Sequence, residues 1–110
     1  MDEYEVVWSI ESIYDVADIE DYIETEFGKD RADRFHEDID HEVGSFGRSY
    51  KLYADTGIYY RNFLILKKPF NPSIIFYVVD ASEEKVYVLR ILRHERDWQK
   101  MLKETLQYSF

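Results

Sequence analysis

The sequence predicts an α+β fold: an N-terminal strand, an antiparallel helical hairpin packed on one face of a small, mostly antiparallel sheet, and a C-terminal helix. Apolar residues recur at helical spacing as far as residue 46, whereas β-branched and aromatic runs dominate after residue 57. The length of 110 residues and the hydrophobic fraction of 45% suit one core, so residues 1–110 are expected to form a single domain.

The first 28 residues predict a short strand followed by a helix. Residues 4–8 alternate in polarity as a half-buried strand does. One side of this strand carries its large apolar side chains, Tyr4, Val6 and Trp8. Ser9 can cap a helix over residues 10–27, because its hydroxyl can accept a hydrogen bond from a free N–H of the first turn. Gly28 is expected to end that helix.

A second helix is predicted to follow at once, with Asp30 as its cap. Its apolar residues recur every three or four positions and form one face: Ala32, Phe35, Ile39, Val43 and Phe46. The join at Gly28 and Lys29 is short, so the two helices should form an antiparallel hairpin with facing apolar stripes. Gly44 and Gly47 are expected to weaken and end the second helix.

The rest of the chain predicts three strands and a last helix. Residues 58–66, 73–79 and 85–93 are rich in β-branched and aromatic side chains. The short connections at 67–72 and 80–84 favour an antiparallel meander. From about Asp97 the apolar residues return to helical spacing, so a final helix is expected to pack back on the sheet through Trp98, Met101, Leu102 and Leu106.

Composition excludes several classes of function. No cysteine is present, which excludes disulfides, thiolate metal sites and a cysteine nucleophile. No apolar run approaches the roughly 18 residues that span a bilayer. The first residues also lack the basic and apolar segments of a signal peptide, so a cytoplasmic location is expected.

The net charge of −9 is unevenly distributed along the chain. Residues 1–40 carry 15 acidic and 3 basic side chains, a net of −12, whereas residues 41–110 carry 8 acidic and 11 basic ones, a net of +3. This asymmetry can separate a solvated acidic face from a basic working face. It also fits two helices whose outer sides are simply solvated, and the two interpretations are compatible.

The hairpin is expected to leave one face of the sheet open. Polar residues on that face of the strands are therefore candidates for a function. The candidates are Arg61, Tyr77 and Arg90 on the three strands, and Arg93, His94 and Arg96 at the end of the third. A guanidinium on an apolar strand is costly unless it meets an acid, a phosphate or water. Arg90 therefore either binds an anion or forms a structural pair with Asp97, Asp80 or a backbone carbonyl.

The three histidines differ in what their positions allow. His36 and His41 flank an acidic stretch, but five residues turn a helix by about 140°, so they do not match a zinc-binding pair on one face. His94 follows the arginines just past a strand, where it could act as an acid or a base or could simply face solvent. No glycine-rich phosphate loop, Ser/His/Asp set or pair of catalytic carboxylates is recognisable.

Five segments carry a resemblance that covers nearly the whole chain. They are YEVVWS at 4–9, DVADI at 15–19 with Tyr22 and Ile23, Tyr60 with Arg61, IFYVVD at 75–80, and VYVLRIL at 86–92 followed by Arg96, Asp97 and Trp98. In order and spacing they are similar to the RelE/ParE toxin superfamily. The last of the five segments is the most specific.

The resemblance implies a small toxin of a type II toxin–antitoxin module, neutralised by an antitoxin segment wrapped on its surface, with no cofactor or metal. RelE-like members cleave mRNA in the ribosomal A site, and ParE-like members poison DNA gyrase. Arg61 and Arg90 match basic positions that would hold phosphate, and Tyr77 matches an aromatic position that is as consistent with a structural role. Many members have a histidine three residues after the strand arginine, where this chain has Arg93, with His94 next.

The first hypothesis is a metal-independent, ribosome-dependent mRNA endoribonuclease that inhibits translation. Arg61, Arg90 and Arg93 would stabilise the transition-state charge, with His94 as the acid that protonates the leaving oxygen. The substrate-binding residues would be Lys51, Lys67, Tyr77 and Arg96. No convincing general base is recognisable.

The second hypothesis is a non-enzymatic gyrase poison, which the displaced histidine and the missing base favour. The third is a degenerate module that only binds its antitoxin. In each case a cognate antitoxin is expected as a partner, together with the ribosome and mRNA or with gyrase. Acidic antitoxin residues would meet the basic set, and a smaller second site is offered by Lys29, Arg31 and Arg34.

Overall fold

The computed structural model describes residues 3–50 and 53–110. Within these ranges the chain forms β1 (Glu5–Trp8), α1 (Ile10–Phe27), α2 (Lys29–Gly44), α3 (Phe46–Ser49), β2 (Ala54–Tyr60), β3 (Phe63–Phe70), β4 (Ser73–Asp80), β5 (Lys85–Arg93) and α4 (Trp98–Glu104). The expected α+β class is confirmed. No helix in these ranges is both long and apolar enough to cross a membrane.

The strands form one sheet in the order β1-β5-β4-β3-β2. β1 pairs in parallel with β5, so that Val6 lies opposite Val86, and all other neighbours are antiparallel. A parallel pair needs a long crossover connection. The helical hairpin lies within that connection, which is why it lies against the sheet.

The N-terminal helices agree closely with the sequence pattern. The Ser9 hydroxyl caps α1 by accepting a hydrogen bond from the Ser12 N–H at 2.9 Å. Gly28 follows α1 with a φ of 98°, in the region that favours glycine. α2 begins at Lys29 rather than after Asp30, so the expected Asp30 cap is wrong. Gly28 separates the two helices alone, and Asp30 lies in the first turn, where its charge suits the helix dipole.

One face of the sheet is covered by the α1–α2 hairpin, as the stripes predict. The residues that meet there are Val16, Ile19 and Ile23 of α1, Phe35, Ile39 and Val43 of α2, and Ile75, Tyr77, Val86 and Val88 of the sheet. The predicted side of β1, with Tyr4, Val6 and Trp8, packs against the same cluster. Burial of these apolar stripes is the main force that holds the hairpin on the sheet.

The opposite face is not open, and the expectation that it would be is wrong. Its strand residues are buried large apolar side chains: Ile65, Phe76, Val78, Leu89 and Leu92. α4 and the C-terminal segment cover them, through Leu102 and Tyr108 in particular. Apolar side chains on both faces of the strands require cover on both sides, because exposure of either layer to water is unfavourable.

The meander has four strands where the sequence predicted three. Residues 58–66 were expected to form one strand, but a two-residue turn at Arg61 and Asn62 divides them, and Tyr60 pairs with Phe63 across it. Arg61 has a φ of 57°. The turn contains no glycine, which removes the usual sequence signal of a tight hairpin. β3 then continues through most of the expected 67–72 connection.

The ends of the helical segments differ from the sequence pattern in two places. Phe46 belongs to the short helix α3 and not to α2. α4 is capped by Asp97, whose carboxylate accepts from the Lys100 N–H at 3.3 Å, but it ends at Glu104. Leu106 therefore lies beyond the helix and is 85% exposed, so its expected packing on the sheet is wrong.

Candidate functional site

Arg90 lies on β5 and is paired with Asp15 of α1. Arg90 Nε donates to Asp15 Oδ2 at 2.7 Å, and Nη2 donates to Oδ1 at 2.8 Å. The two side chains are only 17% and 8% exposed. The hydrogen bonds to Asp15 raise the pKa of Arg90 above its ordinary value. Arg90 thus forms a structural ion pair, which was one of its two predicted roles. Its partner is Asp15 rather than Asp97 or Asp80.

Asp15 also closes the edge of the sheet beyond the end of β1. β1 is shorter than β5, and the start of α1 takes over where β1 stops. Ser9 donates from its backbone N–H to the Val88 carbonyl at 2.9 Å and from its hydroxyl to the Leu89 carbonyl at 2.7 Å. Asp15 accepts from the Ile91 N–H at 3.0 Å. These bonds satisfy buried backbone groups that would otherwise lack partners.

Tyr77 faces the helical hairpin and not the opposite face, so its expected position is wrong. Its side chain is fully buried, and its hydroxyl donates to the Tyr50 carbonyl at 3.1 Å. Burial raises its pKa well above the ordinary range. The physical reason is strand alternation, because Phe76 and Val78 on either side of it point towards α4.

Arg61 lies in the β2–β3 turn instead of on a strand, which corrects its expected placement. Its guanidinium lies 5.2 Å from the centre of the Tyr60 ring and is exposed. It borders a cavity of about 310 Å³ that also contains Asp80, Glu83 and Tyr87. Its surroundings are therefore partly acidic.

Arg93 and His94 lie where β5 ends. The Arg93 guanidinium stacks 3.6 Å from the centre of the Tyr22 ring and forms an ion pair with Glu95. The His94 side chain is exposed, and its backbone N–H donates to the Pro72 carbonyl at 3.1 Å.

Lys67 and Arg96 are brought together beside α4. The Lys67 ammonium lies 4.9 Å from the centre of the Trp98 ring, and Arg96 Nη2 lies 3.7 Å from Met101 Sδ. Trp98 and Met101 are both α4 residues. A basic patch formed by Lys67 and Arg96 therefore lies beside α4.

The predicted basic set is not one cluster. Arg61 is at the end of the sheet where β4 finishes, and Arg93 lies opposite Ser73, where β4 begins. β4 has 8 residues, and at the usual rise its ends are about 23 Å apart. Arg90 is paired between them, and Lys51 lies outside the described residues. In residues 3–50 and 53–110, no three His, Asp or Glu side chains are grouped so as to hold a metal ion.

A second cavity lies between α1 and α2 beside β1, and the sequence pattern alone does not indicate it. It has a volume of about 400 Å³ and is mainly apolar, with Trp8 and Ile39 in its wall. The outer surface of α1 continues it with Ile13 and Tyr14, which are 52% and 67% exposed. At its rim His36 Nδ1 lies 2.9 Å from Glu20 Oε2, and this contact raises the pKa of His36. We call this cavity and the adjoining α1 surface the hairpin groove.

A cavity at the tip of the helical hairpin was also only partly foreseen. It has a volume of about 380 Å³ and lies between the end of α1, the start of α2 and the β3–β4 turn. Arg31 and Arg34 line it, as do Phe27, Phe35 and Phe70. The sequence predicts a second basic site at these arginines, but the aromatic walls come from segments that meet only in the folded chain. We call this the tip cavity.

Comparison with known proteins gives a consistent result. The model of the ParE toxin of the parDE type II toxin–antitoxin system matches residues 6–98. A solved chromosomal ParDE toxin–antitoxin system from P. aeruginosa matches with a TM-score of 0.67 and 19% sequence identity, over 84% of this chain and 98% of that chain. At that identity the structural match is informative about the fold alone. No curated protein sequence matches this chain.

Proposed function

Because the chain belongs to the ParE toxin family of type II toxin–antitoxin systems, we propose that it acts as a non-enzymatic poison of DNA gyrase. Family membership makes it the toxin of such a module, with a cognate antitoxin as its partner. The finer choice lies between gyrase, the target of ParE-like toxins, and mRNA on the ribosome, the target of RelE-like toxins. The placement of the basic residues favours gyrase.

The observation that carries this proposal is the dispersal of the predicted catalytic residues. Cleavage of an RNA phosphodiester needs an acid and several cations around one phosphate. Arg90 is already neutralised by Asp15, and Arg61 is separated from His94 by the length of β4. Among the residues that the structure describes, the predicted set therefore does not surround a single phosphate. The net charge of −9 also opposes binding to ribosomal RNA.

The basic patch of Lys67 and Arg96 is the part of the predicted site that we propose contacts the target. The Arg96 side chain is exposed, and Lys67 is half-buried beside Trp98. Neither residue has a carboxylate within salt-bridge distance among the described residues. Their charges are therefore available to a partner.

The hairpin groove is the surface that we propose an antitoxin segment covers. It combines an apolar cavity with exposed apolar residues on α1. Such a surface suits an amphipathic helix or an extended segment with apolar anchors. This placement keeps the antitoxin on the hairpin side of the sheet, while α4 lies on the other side.

The target can be decided by two assays on the purified, antitoxin-free chain. We expect inhibition of gyrase supercoiling, and intact mRNA in primer extension on translating ribosomes. Lys67→Glu together with Arg96→Glu should weaken gyrase inhibition by about tenfold or more, since both charges in the patch are reversed. His94→Gln is the discriminating variant, because it removes only the candidate acid of the RNase mechanism and should leave gyrase inhibition within about twofold.

Ribosome-dependent mRNA cleavage that His94→Gln abolishes, with no effect on gyrase, would replace the proposal with the endoribonuclease hypothesis. Growth without arrest after induction, with neither activity in vitro, would instead support a module that only binds its antitoxin.

A further inference from the structure

The tip cavity contains two arginines that form no salt bridge in the part of the chain that the structure describes. Arg31 and Arg34 are three residues apart and so lie on one side of α2. Neither has a carboxylate within salt-bridge distance in residues 3–50 and 53–110, although the helix around them is rich in Asp and Glu. By contrast, Lys29 at the same tip is held by Asp33 at 3.0 Å.

The walls of the tip cavity are largely aromatic, and one of them holds the Arg31 guanidinium in place. The Arg31 guanidinium lies 4.9 Å from the centre of the Phe27 ring. Phe27 is 55% exposed, whereas Phe35 is 6% exposed and packs with Phe70 at a ring separation of 6.4 Å. Stacking on a ring restricts a guanidinium without using its hydrogen-bond donors. The donors of Arg31 can therefore still bind an anion.

The size and composition of the cavity suit a small group with both apolar and anionic parts. Its volume of about 380 Å³ lies in the range of ligand pockets, and its lining combines charged residues with Phe27, Phe35 and Phe70. Asp38 also lines it, so the three charged residues Arg31, Arg34 and Asp38 give a net charge of only +1. That charge complements a single carboxylate of a ligand, and the aromatic walls complement a large apolar side chain.

The electrostatic surroundings oppose a polyanion. Residues 1–40 carry a net charge of −12, and the hairpin that forms the cavity consists mainly of these residues. A nucleic-acid strand that placed one phosphate in the cavity would lay its neighbouring phosphates along this acidic surface. A peptide can instead place a single carboxylate there and continue with neutral residues.

We propose that the tip cavity binds a peptide segment in which a single Asp or Glu carboxylate contacts Arg31 and Arg34, and an adjacent large apolar side chain enters between Phe27 and Phe70. The inference rests on the proposed function only in naming the antitoxin as the source of that segment. The tip cavity would then be a second contact for the antitoxin, separate from the hairpin groove.

Two blocked peptides provide the test, one with Glu next to Phe and the other with Gln in place of Glu. In ¹⁵N-labelled full-length protein, the Glu peptide should shift the backbone amide signals of Arg31, Arg34 and Asn71. The Gln peptide should bind about tenfold more weakly, because it lacks the charge that the guanidinium groups recognise. Arg34→Glu should weaken binding of the Glu peptide by about tenfold or more, and Lys29→Glu, with the same change of charge outside the cavity, by less than about threefold.

Equal binding of the two peptides, signal shifts confined to another surface, or no shift at millimolar peptide would each overturn the inference. Tighter binding of adenosine monophosphate than of the Glu peptide would also overturn it, in favour of a nucleotide site. Gyrase inhibition by Arg34→Glu without antitoxin should equal that of the unaltered chain. If the unaltered chain does not inhibit gyrase, the proposed function fails while the peptide result stands.

Discussion

Asp15 and Arg90 are 75 residues apart in sequence and form a doubly hydrogen-bonded ion pair between α1 and β5. The pair is largely shielded from water. Each charged group loses its hydration when the chain folds, and the interaction with its partner compensates for that loss. Asp15 is also the acceptor for the Ile91 N–H. One carboxylate thus neutralises a buried cation and satisfies a backbone donor at the edge of the sheet.

Removal of the carboxylate should therefore be costly. Asp15→Ala is expected to lower the free energy of unfolding by about 3 to 5 kcal/mol, because it leaves Arg90 buried without a counter-charge. Urea denaturation followed by circular dichroism measures this change. Asp21→Ala is the matched control on the exposed side of α1, and it should alter stability by no more than about 0.5 kcal/mol. Similar midpoints for the two variants would mean that the pair contributes little to stability.

At the scale of elements, the short helix α3 follows the hairpin and contacts the residues just before β1. The Gly47 carbonyl accepts from the Tyr4 N–H at 2.9 Å, which places the two backbones in close contact. A Cβ atom at Gly47 would lie 2.5 Å from the Tyr4 carbonyl oxygen. At Gly44, the last residue of α2, a Cβ atom would meet nothing within 4 Å. The two glycines were predicted together as helix breakers, but only Gly47 is required by packing.

This difference predicts opposite effects of the same substitution. Gly47→Ala should destabilise the protein by about 1 to 3 kcal/mol, because the backbone at Tyr4 must move to admit the methyl group. Gly44→Ala should leave stability unchanged or raise it by up to about 1 kcal/mol, since alanine has less conformational freedom to lose in a helix. Thermal unfolding of both variants tests the pair. Equal loss of stability in the two would show that close approach at Gly47 is not the cause.

At the scale of the whole molecule, the sheet is enclosed between the helical hairpin on one side and α4 with the C-terminal segment on the other. Tyr108, two residues before Phe110, is only 5% exposed, and its ring packs edge-on against Tyr60 at 4.9 Å. The Ser109 carbonyl accepts from the Ile10 N–H at 2.7 Å, so the end of the chain lies beside the start of α1. The second core cluster therefore depends on the last residues of the sequence.

Truncation of Tyr108 tests that dependence. Tyr108→Ala should lower the free energy of unfolding by about 3 kcal/mol or more, through lost burial and the cavity that remains. Leu106→Ala, two residues away in the same segment, should have an effect below about 0.5 kcal/mol because Leu106 is 85% exposed. Guanidinium denaturation of both proteins gives the comparison. A stable Tyr108→Ala variant would indicate that α4 alone closes this face.

The sequence by itself determined the features that depend on neighbouring residues. The limits of α1, its Ser9 cap and its stop at Gly28 were all predicted, as was the apolar stripe of α2 that packs in the core. Each of these follows from side chains within a few positions of one another, because helix caps and helical periodicity are local. The resemblance in five segments likewise indicated the toxin superfamily before any contact was known.

Only the tertiary structure decided which groups meet. The partner of Arg90, the burial of Tyr77 and the cover over the second sheet face all depend on contacts between distant segments. The pairing of β4 with β5 also shifts register beside Leu89. Strict alternation of side chains along the sequence does not predict this irregularity. The sequence determines whether a residue is charged, but the fold determines whether a ligand can reach that charge. For that reason the arginines that the sequence predicts in one site lie on several surfaces of the folded chain.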